Sequence, residues 1–520
     1  MSKFGEPNTP IESIVMLESG SEPHSLSTLQ AVAVKALVVT SFLLLALGCE
    51  VGPNYQRPTG TTPGSFRAAL APDVKSGTTE AAPTSKPQPT KATPDTFSLG
   101  DQQWSSIFQD QVLQRLVREA LENNLDLHIA AQRVLEARAQ VGIVRSQQLP
   151  SINAGGSFSA LQLPQSSVSN KSDGTPGNSF IDGGGFSGSA AWNLDFWGLY
   201  RRQTEAARAE LLATEYGQRA ARASLVHDIA QAYFNLRSLD AQLEITNNTI
   251  KAREDSLKLT QSLEKYGAGS AADTRQAEEL LHTAQANLPE LRRQIAVQEN
   301  AISILLGHAP EDIARGLDVA SQPHPLEVPT GLPSDLLERR PDVQQAEAQL
   351  IAANARIGVA KAQFFPQISL TSLGGSSSNQ LQSIFSGKNA YWYAAGSFTE
   401  PIFDGGRIRS NYHYSQAQQQ EMLLTYRKTI LNALKDVSNS LAAYKETRER
   451  RERQTELVVS ATDAVRLANL RYSGGNTSYL EVLTTATDLY DAQLQLAQAQ
   501  QQEASSLVEL YAALGGGWQQ

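Results

Sequence analysis

Along this 520-residue chain the hydrophobic period switches between two and about three and a half, and it does so twice. In Ser151–Ala160, the residues Ile152, Ala154, Gly156, Phe158 and Ala160 alternate with Ser151, Asn153, Gly155, Ser157 and Ser159. That is the period of a strand with one apolar and one small-polar face. A loop rich in Gly, Asn, Ser and Asp runs from Gln165 to Gly185, after which Phe186, Gly188, Ala190, Trp192, Leu194 and Phe196 alternate with Ser187, Ser189, Ala191, Asn193 and Asp195. The second half repeats the pattern less cleanly, with Ile368 and Leu370 in one strand and Trp392, Ala394, Gly396, Phe398 and Ile402 in the other. Each half thus predicts a hairpin, about 150–197 and about 366–403. Strands of ~9 to 11 residues with aromatics near their ends suit a transmembrane barrel, and on alternation alone they suit the edge of a soluble sandwich equally well. Four strands cannot close a barrel, so the barrel reading demands several chains.

After each hairpin the pattern turns helical. Gln218–Tyr266 and Arg407–Ser473 contain neither Gly nor Pro, and the second run is 67 residues (473 − 407 + 1), ~100 Å as one helix. Leu225, Ile229, Ala232, Leu236, Leu239 and Leu243 recur at spacings of 4, 3, 4, 3 and 4, as do Ile430, Leu434, Val437, Leu441 and Tyr444 in the second run. Such heptads bury a narrow seam against a partner helix, so the expected core is a coiled-coil seam. Further helices follow at Ser270–Leu306, expected to kink or break at Pro289, and at Asn476–Leu514. The intervening turns, Gly267-Ala268-Gly269 and Ser473-Gly474-Gly475, are helix-hairpin tips where positive φ comes cheaply. Strands at one end and helical tips at the other predict a long rod.

The halves are copies of one plan. Asp126, Ala130, Ala139, Val141-Gly142-Ile143, Leu149-Pro150 and Ile152 return as Asp342, Ala346, Ala355, Ile357-Gly358-Val359, Phe365-Pro366 and Ile368, an offset of 216 (366 − 150). Gly198, Arg201 and Asp228 match Gly406, Arg409 and Asp436 at 208, and Tyr266 matches Tyr472 at 206. A falling offset in an unchanged order means duplication with loops of different length.

Composition sharpens this picture at the amino terminus. Ala36–Leu47 is apolar, follows Lys35, and is too short to span a membrane, so it reads as the h-region of an export signal, with 1–48 as leader. Translation starting at Met16 would give that leader a more ordinary length. Cys49, the single cysteine, stands directly behind it, where bacterial export attaches lipid. Residues 49–103, with six prolines from Pro63 to Pro94, form the lipid anchor and an extended tether. The first structural repeat then covers 104–320 and the second 321–520. A net charge of −9 argues against a nucleic-acid partner. Seven scattered histidines, His227 and His282 among them, make no ligand spacing, and the glycine runs lack the Lys-Ser/Thr of a phosphate loop, so the sequence offers no enzyme site, no metal site and no cofactor beyond the lipid.

Cys49-Glu50-Val51-Gly52-Pro53-Asn54-Tyr55, Leu337-Glu338-Arg339-Arg340-Pro341-Asp342-Val343, Pro401-Ile402-Phe403-Asp404-Gly405-Gly406-Arg407 and Ala513-Leu514-Gly515-Gly516-Gly517-Trp518 together resemble the NodT branch of the TolC-type outer-membrane efflux factors. The resemblance implies a mainly α fold with a small β part. It also implies a homotrimer, lipid-anchored at Cys49, whose shared outer-membrane β-barrel continues into a periplasmic α-barrel. The function so implied is the exit duct of a resistance-nodulation-division type tripartite pump, passing drugs or other toxic compounds from periplasm to outside. Its partners would be a periplasmic adaptor (membrane fusion) protein, an inner-membrane pump and outer-membrane lipid. Gly267, Gly269, Gly474 and Gly475 fall on the family's adaptor-docking tips, and Glu481 where relatives carry an acid lining the closed aperture. Thr484 replaces a second acid frequent there. With Met422 the sole methionine after Cys49, a thioether relay for copper is not expected. A lipid-anchored periplasmic coiled-coil scaffold without a pore is the competing reading.

Overall fold

The computed structural model describes residues 50–58, 63, 66, 98–162, 180–322, 328–331, 333–379 and 383–519. Helix α1 (Gln111–Asn123) opens on Asp110, whose carboxylate accepts from the Val112 and Leu113 amides, and Asn124 caps α2 (Leu125–Ser146) through the Leu127 amide. Strands β1 (Ser151–Gln162) and β2 (Phe180–Leu194) lead into α3 (Leu199–Lys265) and α4 (Ala271–Leu306). The second half repeats this order as α5 (Pro341–Ala362), β3 (Gln367–Ser378), β4 (Ala390–Thr399), α6 (Arg407–Ser473) and α7 (Tyr479–Ala513).

The duplication is visible in the element bounds. Helices α2 and α5 differ by 216 at both ends (341 − 125, 362 − 146), and so do β1 and β3 (367 − 151, 378 − 162). The long helices α3 and α6 are each 67 residues and differ by 208 at both ends (407 − 199, 473 − 265). Both start from a left-handed glycine, Gly198 and Gly406, beside an aspartate whose carboxylate accepts first-turn amides: Asp195 from Tyr200 and Arg201, Asp404 from Ile408.

Several expectations are corrected. Strand β1 runs on to Gln162 and β2 begins at Phe180, inside the stretch read as loop, while Phe196 falls beyond the strand in the corner before α3. Helix α3 starts at Leu199, because the Gly217 that limited the reading costs only ~1 kcal/mol inside a helix packed on both flanks. Helix α4 passes through Pro289 unbroken, since tertiary packing outweighs one lost ladder bond. The core is also wider than a seam. Leu225, Ile229, Tyr233 and Leu236 of α3 meet Val437, Leu441 and Tyr444 of α6, Leu507, Leu510 and Tyr511 of α7, and Leu113 and Val117 of α1. This cluster lies ~40–60 Å down α3 from the sheet.

The sheet is antiparallel in the order β1-β2-β3-β4, so the two halves join at β2–β3. No helix among the described residues is long and apolar enough to cross a membrane.

Candidate functional site

The register of the sheet gathers like faces. Ile152 lies opposite Ala190, Ala190 opposite Ser372, and Ser372 opposite Ala394; Leu194, Ile368 and Phe398 line up in the same way. One face thereby collects Ile152, Phe158, Phe186, Trp192, Leu370, Trp392 and Phe398, and the other Ser157, Ser187, Ser189, Asn193, Ser369, Thr371 and Ser397. The apolar face is not covered: Ile152 is 79% and Trp392 82% exposed, and all of β1 and β4 is solvent-accessible in the single chain. Two bare edges and an open apolar face are untenable in water and match the strip of a barrel set in lipid.

Beneath the sheet, residues 50–58 are strapped along the helices. The Val51 amide donates to the Trp197 carbonyl in the β2–α3 corner (3.2 Å). Gly52, at φ 114, lies so close to α5 that an added Cβ would stand 2.5 Å from Gly358 Cα. The Pro53 carbonyl accepts from Asn354 Nδ2 (2.9 Å), Asn54 Oδ1 from Arg202 Nη2 (2.7 Å), and Glu347 from both Tyr55 (3.1 Å) and Arg57 (2.6 Å). Burial and the Glu347 carboxylate push the Tyr55 phenol above its usual range. Every residue of the Val-Gly-Pro-Asn-Tyr run therefore has a partner. The sequence offered only the resemblance for this motif, because its partners lie some 150 to 300 positions away. Cys49 itself lies outside the described residues.

At the opposite end the two tips are the same turn. Ala268 N donates to Leu263 O (2.8 Å) and Gly267 N to Glu264 O (3.0 Å), while Asn476 N donates to Arg471 O (2.8 Å) and Gly475 N to Tyr472 O (3.0 Å). This is the Schellman arrangement, with glycine at the left-handed position: φ is 71° at Gly267 and 69° at Gly475. The tips are thus related by 208, and the Tyr266–Tyr472 match at 206 is an accident of letters. Gly474 corresponds to Tyr266 and has φ −83°, so it carries no left-handed requirement. Gly269 is needed for space, since a Cβ would meet Leu263 Cβ at 2.9 Å. Two residues into α7, Glu481 is partly exposed, paired with Arg471 at 2.8 Å and accepting from the Thr477 hydroxyl. Its counterpart is Asp273 in the first turn of α4 (481 − 208), where a carboxylate also suits the helix N-terminus.

The twin helices α2 and α5 have unequal surroundings. Helix α5 lies between α3 and α6 and buries Val343, Leu350, Ala353, Ile357 and Gly358, whereas Val134 is the one buried residue of α2. A Cβ on Gly358 would meet Arg202 of α3 at 2.9 Å; on its twin Gly142 it would meet nothing within 4 Å. Correspondingly, Ala206 of α3 is buried and its α6 twin Tyr414 is 61% exposed. The flank of α6 and the flank of α2 are the two halves of the contact that α3 and α5 make within the chain. His282 bonds only Gln285 on its own helix, and the described residues hold no cluster of metal-ligating side chains.

The outer membrane efflux protein family model matches residues 116–308 and 332–516. The chain is 35% identical over 484 residues to the probable efflux pump outer membrane protein TtgC of Pseudomonas putida, covering 93% of this chain and 95% of that one. It is 32% identical over 478 residues to the cation efflux system protein CusC of Escherichia coli, covering 92% and 97%. Crystal structures of CusC superpose with a TM-score of 0.76 at 30% identity, over 90% of this chain and all of that one. The open-state MtrE outer membrane channel of Neisseria gonorrhoeae gives 0.77 at 28% identity, over 91% and 99%. The chain belongs to the outer membrane efflux protein family, and its sheet and helical rod are those of an outer-membrane efflux channel.

Proposed function

We propose that three copies of this chain close into one continuous duct, through which small molecules leave the periplasm passively. The supporting observation is the half-contact shared between α6 and α2. If α6 of one copy meets α2 of the next as α3 meets α5, the interface repeats head to tail, and a rotation of about a third of a turn per copy closes it into a ring of three. Three chains would contribute 3 × 4 = 12 strands, an even antiparallel set of the kind that outer-membrane barrels use. Twins of the Gly358–Arg202 contact are Gly142 and Ser410 (358 − 216, 202 + 208). Gly142→Cys combined with Ser410→Cys is expected to crosslink between subunits into a ladder that ends at three chains, with either single variant remaining uncrosslinked. A double variant that assembles and yields no subunit-linked species contradicts this closure.

The strap supports anchoring of the amino-terminal side at the membrane rim. Val51 sits on the corner between β2 and α3, so a lipid on Cys49 would enter the leaflet that the barrel already occupies. Cys49→Ser is expected to abolish labelling by radioactive palmitate while assembled protein persists; palmitate entering the variant contradicts it. At the other end, the paired Schellman turns support docking of a periplasmic adaptor, and Glu481 supports an aperture whose charge is held by Arg471 until the tips separate. Relatives named for toluene, antibiotic and cation efflux share the family. Cargo selection therefore belongs to the adaptor and the inner-membrane pump, and a passive duct needs no catalytic group.

A further inference from the structure

In the half of the rod nearest the tips, α3 and α4 face α6 and α7 across a cavity of about 190 Å³. Leu280, Val482, Leu483 and Leu489 supply apolar walls, and Tyr479 and Tyr490 present their hydroxyls to α3, to Ser256 (2.5 Å) and Thr246 (3.0 Å). The side chain of Arg253 also enters this space, and the residue is only 7% exposed. Its guanidinium donates through Nη1 to the Leu280 carbonyl (2.5 Å) and lies over the Tyr490 ring at 5.2 Å from the centroid. Nε is buried without a hydrogen-bond partner, and among the described residues no carboxylate lies within ion-pair distance of Arg253. Burial holds the guanidinium below the usual arginine range, opposed only by the fields of Tyr490 and Asp491. A buried cation with no directly paired carboxylate is an expensive arrangement, and an anion in the cavity would relieve it.

We propose that this cavity is a binding site for a small aromatic carboxylate, its carboxylate on Arg253 and its ring between Leu280, Leu483 and the two tyrosines. A dry cavity of ~150 Å³ accommodates benzene, so about 190 Å³ accommodates a benzene ring with one carboxyl group. Arginine's planar fork suits the carboxylate. The occupant would touch both helical hairpins of one chain, so its binding and their mutual spacing are thermodynamically linked. The site depends on neither trimer closure nor the aperture.

Calorimetric titration of benzoate into the full-length, detergent-solubilised protein tests it, with benzamide and benzylamine as neutral and cationic isosteres. Saturable benzoate binding is expected, with benzamide at least tenfold weaker and benzylamine silent. Arg253→Met, an apolar replacement of similar length, is expected to weaken benzoate at least tenfold. Ala486→Phe, which fills the space and leaves the arginine in place, is expected to do the same, so the test survives a failure of Arg253→Met to fold. Absence of saturable benzoate binding to the wild type, benzylamine binding as tightly as benzoate, or unchanged affinity in both variants would overturn the proposal.

Discussion

Gly475 and Gly474 are adjacent, both glycine, and under different constraints. At φ 69° Gly475 occupies the left-handed position of a Schellman turn, whereas Gly474 has ordinary helical-end geometry, and a Cβ there would press only on the flexible Asn476 amide, with the Leu470 and Arg471 carbonyls at ordinary contact distance. Gly475→Val is therefore expected to destabilise the tip by ~1–3 kcal/mol, the scale of a β-branched residue forced into that region, and to abolish export in resistance assays at unchanged trimer yield. Gly474→Ala is expected to retain export, and equal loss in both variants would show that bulk at the tip matters more than backbone conformation. Sequence alone identified these glycines as tip residues but could not apportion the roles, because Tyr266 and Tyr472 invited a match two residues out of register. Gly52 gives a similar lesson. Its neighbour Gly358 stood out only as part of the repeated Ile-Gly-Val, and that this glycine admits both the strap and Arg202 follows from the packing of distant segments.

Among the elements, the strands were legible because period two survives in short stretches, and the long helices because heptad spacing over Leu225–Leu243 and Ile430–Tyr444 sits in runs free of Gly and Pro. Helix ends were less so: Gly217 and Pro289 are breakers in isolation, and both sit inside continuous helices held by neighbours. The convergence of α1, α3, α6 and α7 in one core was invisible to a reading that saw each seam separately. Tyr511 tests that core. Its hydroxyl donates to the Gln102 carbonyl (2.7 Å), and burial pushes its phenol up to about 12. Tyr444 is likewise pushed up to about 12, by burial first and then by Glu503. Because the folded-state values lie above the unfolded one of ~10, their stabilisation is complete below pH ~10 and is lost as pH rises towards 12. Denaturation midpoints should fall between pH ~10 and ~12. Tyr511→Phe should cost ~1 kcal/mol at pH 8 for the lost hydrogen bond and flatten the alkaline decline, and an unaltered decline would remove Tyr511 from it.

On the scale of the whole molecule, the chain is an incomplete object: an open sheet with an apolar face, and a helix α2 that lacks the neighbour its twin α5 possesses. The same incompleteness argues against a scaffold without a pore, since a scaffold gains nothing from a sheet that is apolar on one side and small-polar on the other. If Glu481 lines the closed end of the duct, as proposed, its charge is balanced in the single chain by Arg471. Planar-bilayer recording across a salt gradient bears on the central claim most directly. Assembled wild-type protein is expected to insert as discrete, ion-conducting steps with a cation-preferring reversal potential, and Glu481→Lys, which places a second cation beside Arg471, to shift that potential towards anions. Properly assembled, membrane-inserted protein that conducts nothing would contradict the duct, and conduction with identical reversal potentials in both proteins would place Glu481 outside the path.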